Sequence, residues 1–471
     1  MIIDLKKTSK LKPIHFIGVG GCGMNPIAKT LLQLGYTISG SDLKPSKLST
    51  YLIENGAHVT IGHHESNINS DIQLVVFSTA IPSLNCERVE AKRLNIPTVE
   101  RAIMLNSIMQ LYKEKISIAG THGKTTTSSM LACILDACKK DPTYIIGSEV
   151  LNFGKSSTLG NSPYFIAESD ESDGSFLFLH PNVAIISNIE NEHMEFFKTA
   201  ENLFQHFVKF SSGVVHSNGQ LFINADDAIS NKLVDTLNAN DHTGQIITYG
   251  LTNSSDFQAK NIAPHKEGIS YSVEYKGENL GTIDLRVFGI HNVYNSLSTI
   301  AYAISHGLPF DGIQEGLLNF HGTKRRFQLI GEKKSISVFD DYGHHPTEIK
   351  TTLEGIKKSF DRRIVCIFQP HRYTRTRDMF AAFSKAFDPA DHVIITDIYS
   401  AHEKEIKGIN SQTLVQKISD ETNQTVSYIA DKNLVVGEVM PLLKPKDIVI
   451  TMGAGDIHTV ANDLCHQLSI N

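Results

Sequence analysis

One segment, residues 119–127, carries the side chains best suited to bind a nucleoside triphosphate. It reads AGTHGKTTT and lies between a predicted strand and a predicted helix. At that position the Lys124 ammonium group would contact phosphate oxygens and the Thr125 hydroxyl would bind Mg²⁺, while the helix dipole favours an anion. The usual first glycine of such loops would fall at Ile118, so only the Gly-Lys-Thr end follows the general pattern. We interpret the segment as a phosphate-binding loop.

Carboxylates follow the next predicted strand. Residues 168–173 read ESDESD, and carboxylates this close repel one another unless water or a metal ion surrounds them. Glu168 is the best-placed Mg²⁺ ligand because it lies nearest the strand end, and a hydrated acidic loop is the alternative. His193 follows a further strand and would bring an imidazole to the same edge, although, taken alone, it is better explained as an ordinary polar residue.

A second glycine-rich loop lies near the N-terminus. Gly18, Gly20 and Gly23 fit the pattern GxGxxG after a short apolar run, and Asp42 ends the next strand, where a ribose-binding carboxylate is expected. The glycines allow backbone N–H groups to approach a pyrophosphate, whichever nucleotide carries it. By itself the loop is compatible with NAD, with another nucleotide diphosphate, or with a purely structural tight turn.

Basic residues cluster in the C-terminal third of an otherwise acidic chain. Arg326 ends a KRR run, and Arg372 and Arg375 follow a predicted strand, so their guanidinium groups could converge on one carboxylate or phosphate. A solvated charged loop is the alternative. Residues 291–295, HNVYN, open a predicted helix, where they could cap it or hydrogen-bond a purine edge. The residue types do not choose between these two roles.

The elements that position these loops alternate between strands and helices, which predicts βαβ units and parallel sheets. From about 245 to 290 the pattern instead alternates apolar and polar residues, which predicts antiparallel strands. Strands are predicted at 14–17, 36–39, 74–77, 116–119, 164–167 and 183–187, and helices at 26–34, 125–137, 202–210 and 293–305. After Gly322, strands at 335–339, 363–368, 392–397, 426–429 and 447–451 predict a second doubly wound sheet of five strands.

Composition narrows the class of protein. The chain has 471 residues, enough for about three domains, with 41% hydrophobic and 20% charged residues, as in globular proteins. A net charge of -6 argues against nucleic-acid binding, and the lack of an apolar run of about 18 residues argues against membrane insertion. Six cysteines without a CxxC pair suggest reduced thiols in a cytoplasmic protein.

Together the motifs resemble the Mur ligase family, the ATP-dependent amide-forming enzymes of peptidoglycan precursor synthesis. The resemblance covers nearly the whole chain. It is carried by GVGGCGM (18–24), STAI (78–81), RAIML (101–105), AGTHGKTTT, ESDESD, HNVYN, KRRF, DDYGHHPTE (340–348), FQPHRYTRT (368–376) and GAGDIH (453–458). No single motif is specific, but the combination is, and it implies that the first glycine loop holds a UDP-sugar and not NAD.

The resemblance implies an α/β protein of three domains. These are a Rossmann-like UDP-sugar-binding domain at 1–110, a central P-loop ATPase domain at 111–322 and a Rossmann-like amino-acid-binding domain at 323–471. The implied reaction joins L-alanine to the carboxylate of UDP-N-acetylmuramate through an acyl phosphate, using ATP and Mg²⁺ (with Mn²⁺ as an alternative). A cytoplasmic monomer or homodimer that binds neither nucleic acid nor membrane is expected.

The resemblance also implies roles for individual residues. UDP-sugar binding is assigned to Gly18, Gly20, Gly21, Gly23, Met24, Asp42, Ser78, Thr79, Ala80 and Arg101. ATP binding is assigned to Gly120, Thr121, His122, Gly123, Lys124, Thr125, Thr126, His291, Asn295, Arg326 and Asp341, and metal binding to Thr125, Glu168 and His193. Amino-acid binding is assigned to Tyr342, His344, Arg372 and Arg375, and catalysis to Lys124, Glu168, His193 and Arg326.

Three other functions compete with this interpretation. A sister ligase attaches a murein tripeptide to the same UDP-sugar, but its glycine-rich start differs from GVGGCGM. An NAD-dependent oxidoreductase has no use for the phosphate loop, and a catalytically dead regulator would not need both Lys124 and Glu168. Two departures from the family pattern affect details: Glu192 stands where the family usually has Asp, and Asn25-Pro26 where Ser-Gly is common.

Overall fold

The computed structural model describes residues 3–239, 242–252, 254–401, 403–422 and 424–470. These residues form two compact units. The first comprises Met1–Lys260, Ser272–Ile283 and Tyr294–Asn319, and the second comprises Asn261–Tyr271, Asp284–Val293 and Phe320–Asn471. Within the described ranges, no helix is both long and apolar enough to cross a membrane.

The N-terminal sheet is parallel and has the strand order β3-β2-β1-β4-β5. Its strands are β1 (Ile14–Ile17), β2 (Ile38–Asp42), β3 (His58–Ile61), β4 (Leu74–Phe77) and β5 (Thr98–Glu100), and its helices are α1 (Asn25–Gln33), α2 (Lys47–Glu54), α3 (Cys86–Arg93) and α4 (Arg101–Met109). The first and fourth strands match the prediction. β2 begins two residues later than predicted because Tyr36 belongs to the preceding loop, where its hydroxyl donates to the Leu5 carbonyl (2.7 Å).

The central sheet has ten strands in the order β15-β14-β13-β12-β11-β10-β6-β9-β7-β8. The strands are β6 (Glu114–Ala119), β7 (Thr143–Val150), β8 (Lys155–Thr158), β9 (Tyr164–Glu168), β10 (Val183–Ile186), β11 (Gln220–Asn224), β12 (Gln245–Gly250), β13 (Phe257–His265), β14 (Gly268–Tyr275) and β15 (Glu278–Leu285). The helices are α5 (Lys124–Ala137), α6 (Met194–Phe197), α7 (Ala200–His216), α8 (Ala228–Asn238), α9 (Ile290–Ser305) and α10 (Phe310–Leu318).

The prediction of antiparallel strands over 245–290 is wrong for β12. This strand pairs in parallel with β11 and with the start of β13, because α8 provides the crossover that a parallel connection needs. The next three strands are neighbours in the sheet and are joined by connections of two residues. Such short connections require antiparallel pairing, so the prediction holds from β13 onward.

The N-terminal and central sheets share a hydrophobic core within the first unit. One buried cluster contains Leu31 of α1, Met104 of α4 and Phe165 of β9. The polar sequence QLYKEK (110–115), which predicts a hinge at the first domain boundary, follows α4, but its last two residues belong to β6. The domain boundary near residue 110 remains a prediction, since the two sheets belong to one compact unit.

The C-terminal sheet has six strands, not the five predicted, in the order β16-β17-β21-β18-β19-β20. The strands are β16 (Gln328–Lys333), β17 (Ile336–Asp341), β18 (Ile364–Phe368), β19 (His392–Ile395), β20 (Thr425–Tyr428) and β21 (Ile448–Met452). The helices are α11 (Pro346–Ser359), α12 (Tyr373–Asp378), α13 (Phe380–Phe383), α14 (Ser411–Glu421), α15 (Lys432–Val439) and α16 (His458–Ile470). The additional strand is β16, which pairs antiparallel with β17 at the sheet edge. It lacks the continuous apolar run of a buried strand, which explains why the prediction missed it.

Four short 3-10 helices complete the secondary structure of the described residues: Leu5–Lys7, Glu65–Asn67, Ser175–Phe178 and Met440–Leu442. The predicted α/β class is confirmed. Because most strands are parallel, their carboxyl ends lie at one edge of each sheet, where ligand-binding loops are found.

Candidate active site

The predicted phosphate loop lies between β6 and α5. Gly120 (φ +124°) and Gly123 (φ +84°) adopt backbone conformations that side chains rarely tolerate. A methyl group on Gly120 would lie 2.2 Å from the Ser187 hydroxyl oxygen. The loop is also tied to the residues after β10, since Thr121 N donates to the Asn188 carbonyl (3.0 Å) and His122 N to the Asn188 side chain. The first turn of α5 therefore starts from a rigid loop, with the N–H groups that bind anions at its N-terminus.

Lys124 opens α5 and forms a buried ion pair. Its Nζ lies 2.8 Å from Glu171 Oε2 and also donates to the carbonyls of Gly120 (2.5 Å) and Thr121 (3.0 Å). Burial works against the Lys124 charge, but Glu171 and Asp170 outweigh it and raise the pKa of this lysine. The side chain is thus held as a cation beside the phosphate loop.

Thr125 and Glu168 lie in direct contact, as a shared metal site requires. Thr125 Oγ1 donates to Glu168 Oε2 (3.1 Å), and Glu168 Oε1 accepts from Gly147 N (2.6 Å). Glu168 is the last residue of β9, and Thr126 follows on α5 as a half-buried residue. The hydroxyl and the carboxylate offer hard oxygen donors of the type that Mg²⁺ prefers.

His193 belongs to a second group of donors. Its Nε2 lies 3.8 Å from both Glu171 Oε1 and Glu192 Oε2, and its Nδ1 lies 3.6 Å from Glu195 Oε1. One donor atom each from Glu171, Glu192 and His193 lies within 4.8 Å of the others, close enough to hold a metal ion. Burial lowers the pKa of His193, but Glu195 and the other carboxylates outweigh it, so the net pKa is raised. Of the predicted metal set, Thr125 and Glu168 are therefore in contact, while His193 groups with other carboxylates.

Asn295 on α9 contacts the phosphate loop. Its Oδ1 accepts from Thr127 Oγ1 (3.3 Å), and a side chain on Gly123 would begin 2.4 Å from the same oxygen. His291, one turn earlier on α9, is assigned to the second unit. Burial, with the nearby Arg326 charge, lowers the pKa of His291 to about 4. His291 is consequently neutral at pH 7, with one ring nitrogen that can donate a hydrogen bond and one that can accept.

The N-terminal glycine loop connects β1 to α1. Gly18 (φ +78°) donates to the Ser41 carbonyl, and Gly20 N donates to Asp42 Oδ2 (2.8 Å). Gly21 N closes the turn on the Gly18 carbonyl, and Met24 is buried where α1 begins. A side chain on Gly20 would meet Asp42 at 2.9 Å, so the glycine is required for this close approach. The predicted ribose-binding carboxylate therefore lies directly beside the loop.

Two further predicted UDP-sugar residues contact the acidic loop of the central sheet. Thr79 Oγ1 donates to Asp173 Oδ2 (2.8 Å), and Arg101 Nη2 lies 3.6 Å from Asp170 Oδ2. The Arg101 side chain also lies 3.3 Å from where a side chain of Gly23 would begin. Ser78 and Ala80 lie in the same turn as Thr79, where Ala80 N donates to Ser78 Oγ (3.3 Å). The predicted UDP-sugar residues therefore contact the acidic loop, whose Glu171 pairs with Lys124, within the first unit.

In the second unit, Asp341 ends β17 as a buried carboxylate. It accepts hydrogen bonds from Phe327 N (2.7 Å) and Gly343 N (2.6 Å). Burial raises the pKa of Asp341 to about 6, although Arg326 and these hydrogen bonds oppose the rise. Arg326 lies 3.5 Å from Glu348, while its neighbour Arg325 is bound by Asp340 (3.1 Å) and by backbone carbonyls. Within the KRR run, the contacts of Arg325 stabilise the fold of the second unit.

The predicted amino-acid residues gather around His371. His344 lies with its ring 6.0 Å from the His371 ring, and Arg375 Nη1 lies 3.1 Å from His371 Nδ1. Arg372 (φ +71°) precedes α12, and Tyr342 packs edge-on against His344 (5.5 Å). Burial, His344 and Arg375 lower the pKa of His371 to about 3. The cluster is therefore a set of two guanidinium groups beside neutral imidazole, which suits an amino-acid carboxylate.

Sequence reasoning missed some members of these groups. Glu171 belongs to the ESDESD run and His371 to FQPHRYTRT, but neither motif by itself assigns them a role. Glu192 differs from the family pattern, and Asn188 directly follows the strand predicted at 183–187. Their positions after parallel strands are the signal that could have identified them.

Family models match most of the chain. The Mur ligase family catalytic-domain model matches residues 13–113, the Mur ligase middle-domain model residues 118–303, and the Mur ligase glutamate ligase domain model residues 325–455. The three matched segments correspond to the three sheets. They include the phosphate loop, the acidic run and the basic C-terminal residues described above.

Full-length relatives agree with these matches. The chain is 43% identical over 459 residues to the UDP-N-acetylmuramate–L-alanine ligase of Geotalea uraniireducens, covering 98% of both chains. A solved UDP-N-acetylmuramate-alanine ligase from Thermotoga maritima is 26% identical and superposes with a TM-score of 0.82 over 98% of this chain and 99% of that one. A murein peptide ligase from Psychrobacter arcticus, also 26% identical, has a TM-score of 0.68 over 97% and 98%. The chain belongs to the Mur ligase family.

Proposed function

We propose that this protein joins L-alanine to the carboxylate of UDP-N-acetylmuramate, with ATP converted to ADP and phosphate. The observation that carries the proposal is the 43% identity over 98% of both chains with a relative of that name. The buried cation at Lys124, at the head of a phosphate loop, supports the use of ATP. The N-terminal glycine loop, with Asp42 beside it, supports a nucleotide diphosphate substrate, and the contacts of Thr79 and Arg101 connect this region to the acidic loop that pairs with Lys124.

The proposed reaction has two steps. A carboxylate is a poor acyl donor because its oxygen would have to leave as oxide or hydroxide, which are strong bases, whereas phosphate is a weak base and leaves readily. A muramoyl carboxylate oxygen therefore attacks the γ-phosphorus of ATP, the bond to ADP breaks, and an acyl phosphate forms. The neutral amine of alanine then attacks the carbonyl carbon, and its nitrogen releases one proton to water. The tetrahedral intermediate collapses, and the carbon–oxygen bond to phosphate breaks as phosphate leaves.

In this proposal the protein acts mainly by position and charge. Lys124 and the first turn of α5 hold the phosphates and offset charge on the transferring phosphoryl group. Asp42 and Arg101 orient the UDP-sugar, while Arg372 and Arg375 bind the alanine carboxylate. Holding three substrates in reactive geometry removes most of the entropic barrier to their encounter.

The donor groups fit Mg²⁺, and we propose it as the cofactor, with Mn²⁺ as an alternative. Thr125 and Glu168 offer oxygen donors, and Glu171, Glu192 and His193 form a second group with one imidazole. Oxygen donors suit Mg²⁺, and Mn²⁺ accepts the same ligands. A bound divalent cation would neutralise charge on the ATP phosphates.

Phosphate release tests the proposal directly. The purified chain would be assayed with ATP, Mg²⁺ and UDP-N-acetylmuramate against L-alanine, glycine, L-serine and a murein tripeptide. We expect release with L-alanine, weaker release with glycine or serine, and none when EDTA replaces Mg²⁺. Mass spectrometry should find the UDP-sugar increased by one alanine less one water.

Two outcomes would contradict it. Release only with the tripeptide would assign the chain to the recycling branch of the family, of which a solved member is also 26% identical. If no amine gives phosphate release while NADH absorbance changes with some substrate, the N-terminal loop is better explained as the NAD site of an oxidoreductase.

We also propose the domain limits 1–110, 111–322 and 323–471, a cytoplasmic location and a monomeric or dimeric state.

A further inference from the structure

Helix α3 lies beside the N-terminal sheet and sends two consecutive side chains to two different loops. Glu87 reaches the loop after β3, and Arg88 reaches the loop after β4. Both loops begin at the carboxyl edge of a parallel sheet, the edge that also carries Gly18 and Asp42. Neither residue of α3 belongs to the UDP-sugar groups described above.

Glu87 is fully buried and is surrounded by donors from the strands and the loop. Its carboxylate accepts from Ser41 Oγ (2.6 Å), Asn67 Nδ2 (2.6 Å) and His64 N (3.4 Å). Imidazole nitrogens of His15 and His63 lie 3.6 and 3.4 Å from Oε2. Burial would raise the pKa of Glu87, but its contacts with His15, Asn67 and Ser41 outweigh this and lower the pKa to about 2.

These contacts support the backbone around Asp42 from two sides. Ser41, which donates to Glu87, precedes Asp42 on β2. On the other side, Gly62 N donates to the Asp42 carbonyl (2.7 Å), and Asn67 donates to the Gly62 carbonyl (3.2 Å) while also bound to Glu87. Glu87 thus links both chain segments that fix the position of Asp42.

Two kinds of contact hold the loop after β3. Its far end is packed, because Ile68 and Ile72 are buried in an apolar cluster with Ile17. Its first part, residues 62–67, is half-buried or exposed and lies beside a cavity of about 280 Å³. This part has fewer dispersion contacts than a packed core, so its position depends more on hydrogen bonds, including those that end at Glu87.

Arg88 supports the second loop in a comparable way. Its Nη1 donates to the Ile81 carbonyl (2.7 Å), and its guanidinium carbon lies 3.8 Å from the centre of the Phe77 ring at the end of β4. The Ile81 side chain in turn lies 3.5 Å from where a side chain on Gly18 would begin. Arg88 therefore holds the STAI turn (78–81), and Ile81 of this turn lies close to the first glycine of the loop at 18–24.

We propose that Glu87 and Arg88 are positioning residues for UDP-sugar binding, which hold the 62–67 loop and the 78–81 turn so that Asp42 and the glycine loop keep their binding geometry. This inference rests on the proposed function for the identity of the ligand. Both residues act through other groups, so they should control affinity for the UDP-sugar and not the chemistry at the ATP site.

Steady-state kinetics with all three substrates would test the proposal. The variants are Glu87→Gln, Arg88→Met and Arg88→Lys, and the matched controls on the same helix are Glu90→Gln and Arg93→Met, whose side chains pair with each other. Loss of one charge-assisted hydrogen bond corresponds to about a tenfold change in an equilibrium constant. We expect about that rise in KM for UDP-N-acetylmuramate in Glu87→Gln and Arg88→Met, with unchanged kcat and unchanged KM for ATP and alanine.

A second readout is calorimetric binding of UDP-N-acetylmuramate without ATP, which should weaken by the same factor. Arg88→Lys should recover part of the loss because lysine can still donate to the Ile81 carbonyl. Unchanged UDP-sugar affinity, an equal effect in the control variants, or an equal rise of all three KM values would overturn the proposal. If Glu87→Gln does not fold, Arg88→Met and Arg88→Lys decide, since Arg88 is only half-buried. A wild-type chain without alanine-dependent phosphate release would instead refute the proposed function.

Discussion

Replacing Lys124 by methionine should separate the contribution of this lysine to stability from its contribution to catalysis. Lys124 Nζ and Glu171 Oε2 are 2.8 Å apart, and their side chains are only 16% and 3% exposed. Methionine keeps most of the side-chain volume but removes the charge, so Glu171 would be left buried without its cation. Removing one partner of a buried pair typically costs about 3–5 kcal/mol of unfolding free energy.

Proton uptake by Glu171 sets an upper limit on that cost. Burial raises the pKa of Glu171, and Lys124 now opposes the rise. Without Lys124, Glu171 can bind a proton in the folded state, and the buried charge disappears. Protonating a carboxyl above its ordinary pKa of 4.5 costs about 1.4 kcal/mol of free energy for each pH unit. The limit is therefore about 3 kcal/mol at pH 7 and under about 1 kcal/mol at pH 5. A raised folded-state pKa means that the penalty must grow as the pH rises.

Urea unfolding in EDTA at pH 5 and pH 7 would measure the effect on stability. Phosphate release with ATP and Mg²⁺ at the same pH values would measure the effect on catalysis. Lys124→Met should be inactive at either pH and less stable at pH 7, while Lys124→Met combined with Glu171→Gln should regain stability but not activity. Lys232→Met is the matched control, because its partner Glu201 is 62% exposed and such surface pairs contribute at most about 1 kcal/mol. The reasoning fails if Lys124→Met is as stable as this control at pH 7, or if the second substitution restores nothing.

Three further predictions concern other parts of the first unit. Gly120→Ala should lose all activity and about 3 kcal/mol or more of unfolding free energy in urea, because backbone strain and a steric clash combine. Gly154→Ala is the control: its backbone is strained at φ +62° but has open space around it, so it should lose only about 1–2 kcal/mol. The pKa of Glu87 is lowered to about 2, so its stabilisation is present above its unfolded pKa of about 4.5 and is lost as the pH falls toward 2. In Glu87→Gln the free energy of unfolding should therefore fall less between pH 6 and pH 2, by up to about 3 kcal/mol, as urea titrations would measure. Exposed Cys22, in the glycine loop, should be protected from N-ethylmaleimide by UDP-N-acetylmuramate, while exposed Cys86 should react equally with and without it, as peptide mass spectrometry would show.

The buried parallel strands were the most predictable part of the fold. Ile14–Ile17 and Leu74–Phe77 are buried at every position, so the second appears in the sequence as an uninterrupted apolar run and the first as an apolar run interrupted only by His15. Glycines or small polar residues follow directly, where the chain leaves the sheet. Strand ends and the loops at 18–24 and 119–127 could therefore be predicted from local sequence.

Edge strands could not be predicted in the same way. β3 and β16 have no buried position and an irregular exposure pattern, so neither a continuous run nor a strict alternation marks them. The parallel pairing of β12 also could not be predicted from its alternation of apolar and polar residues, because it depends on the crossover through α8. Local periodicity specifies that a strand forms, while its partner is decided by tertiary packing.

The composition of the metal-binding groups was only partly predictable for a similar reason. Glu168 lies at the end of β9, from where its carboxylate contacts Thr125, while the role of both residues in metal binding remains a prediction. Glu171 lies three residues further on, and its contact with Lys124 and its approach to His193 depend on how the acidic loop turns. Side-chain directions within such a turn are set by contacts with distant segments and not by spacing in the sequence.

The charges of the site explain why phosphate and cation binding should depend on each other. Without substrate, Lys124 is neutralised by Glu171, and Arg101 lies near Asp170. A phosphate that binds Lys124 competes for its three N–H donors with the Glu171 carboxylate and two backbone carbonyls. Where it displaces Glu171, that carboxylate remains buried beside Asp170 and Glu192 without its compensating cation. A divalent cation held by Glu171, Glu192 and His193 would supply that compensation. Binding of the anion and of the cation are therefore each more favourable when the other is present, which follows from the pairing in the site and requires no change of fold.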